Sequence, residues 1–153
     1  MLYIDYIILK EAYDEADKRV SDLVDMREEE FVKVMPNAIQ YDAVRVIKSV
    51  SPSSALDNYV IKVERIDRMI RQAKIIRNER KEQLEAKKAE LKESADIDDR
   101  IFYLRSIEKK TIEEIAKLLN YSEGNIYYHR AKIRHELKKN GIIPDSKTRI
   151  RFL

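Results

Sequence analysis

Asn125, Tyr127, Tyr128, Arg130, Lys132, Arg134 and Lys138 fall in one short stretch of the chain. An asparagine amide can pair with both hydrogen-bonding atoms of an adenine edge. A tyrosine ring can touch a thymine methyl or a phosphate, and lysine and arginine neutralise phosphates and release counterions. From residue 127 to 151 eight Lys and Arg side chains stand against Glu136 and Asp145, a local charge of +6. The expected partner is double-stranded DNA. Base-edge contacts are expected from Asn125, Tyr127 and Tyr128, and phosphate contacts from Ser122, Arg130, Lys132, Arg134 and Lys138.

Other chemistry is short of parts. The chain has 153 residues, with no Cys, no Trp, two Gly, three Pro and two His. Two glycines cannot build a glycine-rich phosphate loop, and no nucleotide-binding glycine string occurs. Without cysteine, and with only His129 and His135, the usual zinc sites and the thiol and Ser–His–Asp schemes cannot be assembled. The carboxylates are scattered along charged helices, and no acid/base pair stands out. No enzyme activity, catalytic residue, metal or cofactor is expected.

The elements that must position these residues read as helices throughout, an all-α fold. Thr111 and Glu114 have capping-box spacing, and Ile112, Ile115, Ala116 and Leu119 form the apolar stripe of a short helix. Asn120, Tyr121 and Ser122 make a turn. Asn120 tolerates a left-handed backbone, and Ser122 is the next N-cap. A longer helix then runs from Glu123 to about Lys139, burying Ile126, Ile133 and Leu137, with Gly141 as its stop. Short helix, turn, longer helix is the helix-turn-helix order, whose second helix can enter the major groove. A preceding helix is expected from about residue 95, capped by Ser94. Asp96, Asp98 and Asp99 sit in its first turn, Ile97, Ile101 and Leu104 on its apolar side, and a polar break follows at Ile107 to Lys110.

Upstream, Leu2, Tyr6, Leu9, Tyr13, Ala16, Val20 and Leu23 repeat at 4-3-4-3-4-3 along a helix from about Leu2 to Lys33. This heptad seam fits an intramolecular helical hairpin or an intermolecular coiled coil that makes a homo-oligomer. Pro36 and Asn37 read as its stop. Between residues 34 and 53 lies a connector in which Tyr41, Ala43, Arg45 and Ile47 alternate with other residues, as a short strand or an extended loop would. A second long helix is expected from Ser54 to Ser94. Its apolar stripe is Val63, Ile66, Ile70, Ala73 and Ile76, continued only by Leu84 and Leu91. Its last half is highly charged and reads as a protruding or linking helix. Lys62, Arg65, Arg68, Arg71, Lys74, Arg77 and Arg80 recur every third residue, a spacing that spirals around a helix rather than forming a flat face.

Charge divides along the chain in the same way. Residues 1–33 carry five basic and ten acidic side chains, whereas residues 34–94 and 95–153 each carry thirteen and nine. Domains are therefore read as residues 1–94, a hairpin or coiled-coil region, and residues 95–153, a helix-turn-helix module with a basic tail. Asp5 interrupts the apolar opening segment, no small-residue cleavage site follows, and no apolar run approaches the ~20 residues of a membrane span. A soluble protein without a membrane partner is expected.

The stretch IFYLRSIEKKTIEEIAKLLNYSEGNIYYHRAKIRHELKK resembles region 4 of sigma-70-type factors. The similarity rests on Leu104-Arg105, Thr111 to Ala116, and Ser122 to Ile126, and covers roughly residues 97–139. It places base-reading positions at Glu123, Gly124, Tyr127 and Tyr128, of which Gly124 has no side chain to read with. His129 stands where that family commonly has an aliphatic residue, and is expected as a half-buried packing residue. The whole-chain layout is similar to small phage-encoded activators of the ArpU/RinA type, through Tyr41-Asp42, Val46 and Ser49 to Pro52. The resemblance implies a regulator of phage or prophage late genes in the cytoplasm of a bacterial host, with RNA polymerase as a possible second partner. A coiled-coil adaptor acting on RNA polymerase without base readout is the competing expectation.

Overall fold

The structure is a computed structural model that describes the backbone of residues 1–39 and 52–142, with side chains described for 1–33 and 57–142. The expected strand or loop at residues 41–48, the connector motif around Ser49 and the basic tail beyond Ile142 lie outside the described residues. Every regular element among the described residues is helical. These are α1 (Leu2–Ile39), α2 (Pro52–Glu93), α3 (Ile97–Phe102) running into a π-helical turn (Tyr103–Ile107), α4 (Ile112–Leu119) and α5 (Glu123–Lys139). Among the described residues, no helix is long and apolar enough to cross a membrane, and no group of three or more His, Asp or Glu could hold a metal ion.

Pro36 does not end α1. A proline in the last turn of a helix costs less than one in its interior, because few backbone bonds remain beyond it to lose. Pro52 opens α2, where its missing N–H is one of the unpaired donors of any helix start.

The chain forms two compact units, Glu11–Lys81 and Met1–Lys10 with Glu82–Leu153. In the first unit α1 and α2 run antiparallel: Asp17 pairs with Arg77, Arg27 with Asp67 and Glu30 with Lys62. Val20 and Leu23 of α1 bury against Ile66, Ile70 and Ala73 of α2. Ile76, expected in that stripe, is exposed. Arg77, four residues after Ala73, takes the next inward position and reaches Asp17. Each step of three on a helix falls ~60° short of a full turn, which carries Ile76 off the seam. Two members of the every-third basic series, Lys62 and Arg77, are thus paired with acids of α1.

The second unit centres on Tyr3, Leu91, Ile101, Phe102, Tyr103, Ile115, Ala116, Ile126, Ile133 and Leu137. Fully burying a side chain of this size contributes roughly 1.5–3 kcal/mol, an upper estimate because denatured chains already bury some area. The end of α2, expected as a protruding or linking helix, places Leu91 in this core, and Leu84 is buried as well. One leucine per two turns is a weak apolar signal, but it is enough for a helix edge seated against a neighbouring core. Tyr3, outside the heptad seam, is the deepest residue of α1 here, and its ring packs 5.6 Å from that of Phe102. The π-helical turn ends at Ile107; two residues on, Lys109 has φ 60°, and Arg105 donates to the Lys110 carbonyl at 2.8 Å across this turn.

Candidate nucleic-acid interface

Local chemistry sets the α4–turn–α5 segment. Thr111 Oγ1 accepts from the Glu114 backbone N–H at 3.2 Å, and the Glu114 carboxylate accepts from the Thr111 N–H at 2.7 Å. That second bond holds the Glu114 carboxyl below its ordinary value. Two otherwise unpaired donors at the start of α4 are satisfied in this way. At its other end Asn120 is left-handed (φ 57°, ψ 44°), and the Tyr121 N–H donates to the Ala116 carbonyl at 3.0 Å, the bond that closes a helix C-terminus of this kind. Ser122 then accepts from the Asn125 N–H and caps α5. Gly141, with φ 70°, follows the end of α5, and the Ile142 N–H donates to Leu137.

Ile115 and Ala116 of α4 and Ile126, Ile133 and Leu137 of α5 are buried together, and Ala116 leaves room for the close approach. Because α5 turns its Ile126–Ile133–Leu137 line inward, the opposite line at ~100° per residue carries Gly124, Tyr128, Ala131 and His135. Tyr127 and Tyr128 are 53% and 66% exposed. Glu123, Arg134, Lys138 and Lys139 are exposed as well, and Asn125 is half-buried. A Cβ added at Gly124 would meet nothing within 4 Å, and its φ is not positive, so neither packing nor backbone geometry demands glycine there. Ala131 and His135, absent from the sequence-based selection, share this outward line. A helical projection of the residues opposite Ile126 and Ile133 would have found them.

The edge of α5 next to α3 is organised by a buried aspartate. Asp98 is 3% exposed. One of its oxygens lies 2.6 Å from His129 Nδ1 and the other 2.6 Å from Lys132 Nζ. A carboxylate can only accept, so Nδ1 carries the hydrogen and donates. Lys132, expected at a phosphate, therefore has its ammonium on Asp98, which raises its pKa, although the side chain remains about half exposed. The neighbouring Asp99, equally buried, accepts from the Tyr3 backbone N–H at 3.2 Å and from Ser94 Oγ at 3.1 Å. It thus supplies a carboxylate to the N-terminus of α1, where the helix dipole favours one. Burial pushes the Tyr3 phenol up to about 12, with the charge of Asp98 adding to the effect.

The N-cap of α3 is Asp96, which accepts from the Asp98 N–H at 3.0 Å, in place of the expected Ser94. Ser94 instead accepts from the Asp96 N–H and donates to Asp99. Three aspartates near a helix start read in sequence as dipole partners. Nothing local reveals that two of them are buried and aimed at residues 31 to 96 positions away.

His129 is half-buried, as its expected packing role requires, and it is also polar-bonded. Its ring meets Tyr128 edge-to-face at 5.6 Å and Tyr121 at 6.4 Å. Arg130 is half-buried, and burial first, then the charges of Arg105 and Arg134, lowers its pKa. The expected contact residues thus sort into three groups. Glu123, Tyr127, Tyr128, Arg134 and Lys138 stand outward; Asn125 and Arg130 are partly covered; Ser122 and Lys132 are already bonded within the chain. No family model, curated protein or solved structure matches this chain.

Proposed function

We propose that residues 95–142 form a helix-turn-helix module that binds double-stranded DNA sequence-specifically, and that the protein is a non-enzymatic transcription regulator. The supporting observation is the register of one segment. Capping box, left-handed Asn120 and the Ser122 cap orient α5 so that its aliphatic line is inward while Tyr127, Tyr128, Arg134 and Lys138 project to solvent. Tyr127 and Tyr128 contact base edges, with Glu123 and Asn125 beside them near the start of α5. Arg134 and Lys138 lead the phosphate contacts, and Ser122, Arg130 and Lys132 flank them. The sigma region 4-like string extends this reading to a phage or prophage late-gene activator acting in a bacterial host.

Selection of bound fragments from random DNA by the full chain tests the proposal. An enriched motif is expected. Tyr127→Ala and Tyr128→Ala should then weaken binding to the selected site more than to scrambled DNA; equal losses on both would remove the base-reading assignment.

One observation favours a second reading, an adaptor that binds RNA polymerase without reading bases. Leu118 of α4 is 60% exposed, an apolar side chain that a protein partner could cover. Capture of polymerase by a chain that enriches no DNA sequence would select this reading over the first.

A further inference from the structure

We infer that Asp98 and His129 are positioning residues that set the Tyr128 and Tyr121 rings as a paired DNA-contacting surface. The inference rests on the DNA-binding reading and adds to it Tyr121, a residue of the turn.

The need for such a device follows from how α5 is held. Its buried line is Ile126, Ile133 and Leu137, and aliphatic contact is non-directional. Side chains reach ~5–6 Å from a helix axis, so a roll of ~20° about that axis moves their ends by about 2 Å. Recognition geometry tolerates displacements of only ~0.5 Å. Hydrogen bonds are directional, and Asp98 makes two of them, at 2.6 Å each, to positions three residues apart on one edge of α5. These bonds oppose the roll. His129 then passes its placement on, because the faces and edges of aromatic rings attract each other at preferred angles. Its ring stands at 79° to Tyr128 and 81° to Tyr121. Both tyrosines are exposed on their other sides, at 66% and 42%. Two exposed rings that share one anchored imidazole suit contact with thymine methyls and the sugar–phosphate backbone. A buried ion pair is often no more stabilising than apolar residues of the same volume, so orientation is the distinctive contribution of this one.

The experiment uses the full chain, well below its unfolding temperature, with the site selected from random DNA and a scrambled control. His129→Gln keeps a donor for Asp98 but has no ring, and Asp98→Leu removes the anchor. Each is expected to lower the ratio of matched to scrambled affinity about tenfold, with scrambled affinity little changed. Asp98→Asn retains an oxygen for the Nδ1 hydrogen but loses the acceptor for Lys132, so it should restore the ratio in part. Tyr121→Ala should lower matched affinity by itself. In nitrogen-detected NMR the wild-type His129 signal should show hydrogen on Nδ1, and Asp98→Leu should abolish that signature. An unchanged ratio in His129→Gln and Asp98→Leu, or failure of Asp98→Asn to restore any of it, overturns the inference. If the wild type enriches no sequence, the DNA-binding reading falls instead. The NMR spectrum of the free protein then decides the anchor alone, and a wild-type His129 without hydrogen on Nδ1 overturns that part too.

Discussion

His129 Nδ1 lies 2.6 Å from a carboxylate oxygen of Asp98, a bond that joins the edge of α5 to the first turn of α3 across 31 residues of sequence. The other Asp98 oxygen holds Lys132, and both bonds are shielded on the aspartate side, whose side chain is 5% exposed. Replacing Asp98 by leucine leaves a half-buried imidazole N–H without its acceptor. We expect a loss of about 1–3 kcal/mol in unfolding free energy, read from urea titration. No loss would mean that the imidazole finds another partner at no cost.

Asn120 sits in the left-handed region, where a Cβ-bearing residue without a short polar side chain is strained. Asn120→Ala should cost about 1 kcal/mol, whereas Asn120→Gly should be neutral or slightly stabilising. Equal urea midpoints for the two variants would contradict the closure of α4 described above.

The Glu114 carboxyl is held below its ordinary value chiefly by the hydrogen bond from the Thr111 backbone N–H. A group depressed in the folded state stabilises fully above its unfolded pKa, and that contribution disappears as pH falls through the folded pKa. Glu114→Gln should therefore be less stable than wild type at neutral pH, and the gap should close on acidification. Urea midpoints measured down a pH series check the direction; a gap that widens in acid would refute it.

Gly124 lies in the first turn of α5, with open space where a Cβ would go. Gly124→Ala should stabilise the helix by roughly 0.5–1 kcal/mol. If DNA approaches this turn closely, the same variant should bind the selected site more weakly. A more stable variant with undiminished affinity would show that the glycine does not serve close approach.

Salt dependence separates two cations of α5. Arg134 is exposed on the outward side, while Lys132 is occupied by Asp98. Arg134→Gln should reduce the slope of log affinity against log salt by about 1, as loss of one phosphate contact does. Lys132→Gln should change that slope less. Equal slope changes would show that Lys132 leaves Asp98 when DNA binds.

How much of this was readable in advance differs from element to element. Thr111 and Glu114, Asn120, Ser122 and Gly141 are local devices, each acting over three to five residues. Their spacing alone therefore announces where α4 and α5 begin and end. The inward line of Ile126, Ile133 and Leu137 follows from helical periodicity in the same way. Where periodicity was thin, it misled. Ile76 yields its expected place to Arg77, and Leu91 proved sufficient to seat the end of α2 in a core.

The amino-acid sequence by itself determined the helical class, the caps of α4 and α5, the turn between them and the exposure of Tyr127 and Tyr128, because those depend on neighbours a few residues apart. Tertiary structure decided what no short-range rule contains: that Asp99 caps the start of α1, that Tyr3 packs on Phe102, and that Asp98 takes Lys132 and His129. A buried carboxylate and a solvated one are the same letter in sequence. Only the folded chain, by removing water from Asp98 and bringing two donors to it, distinguishes them.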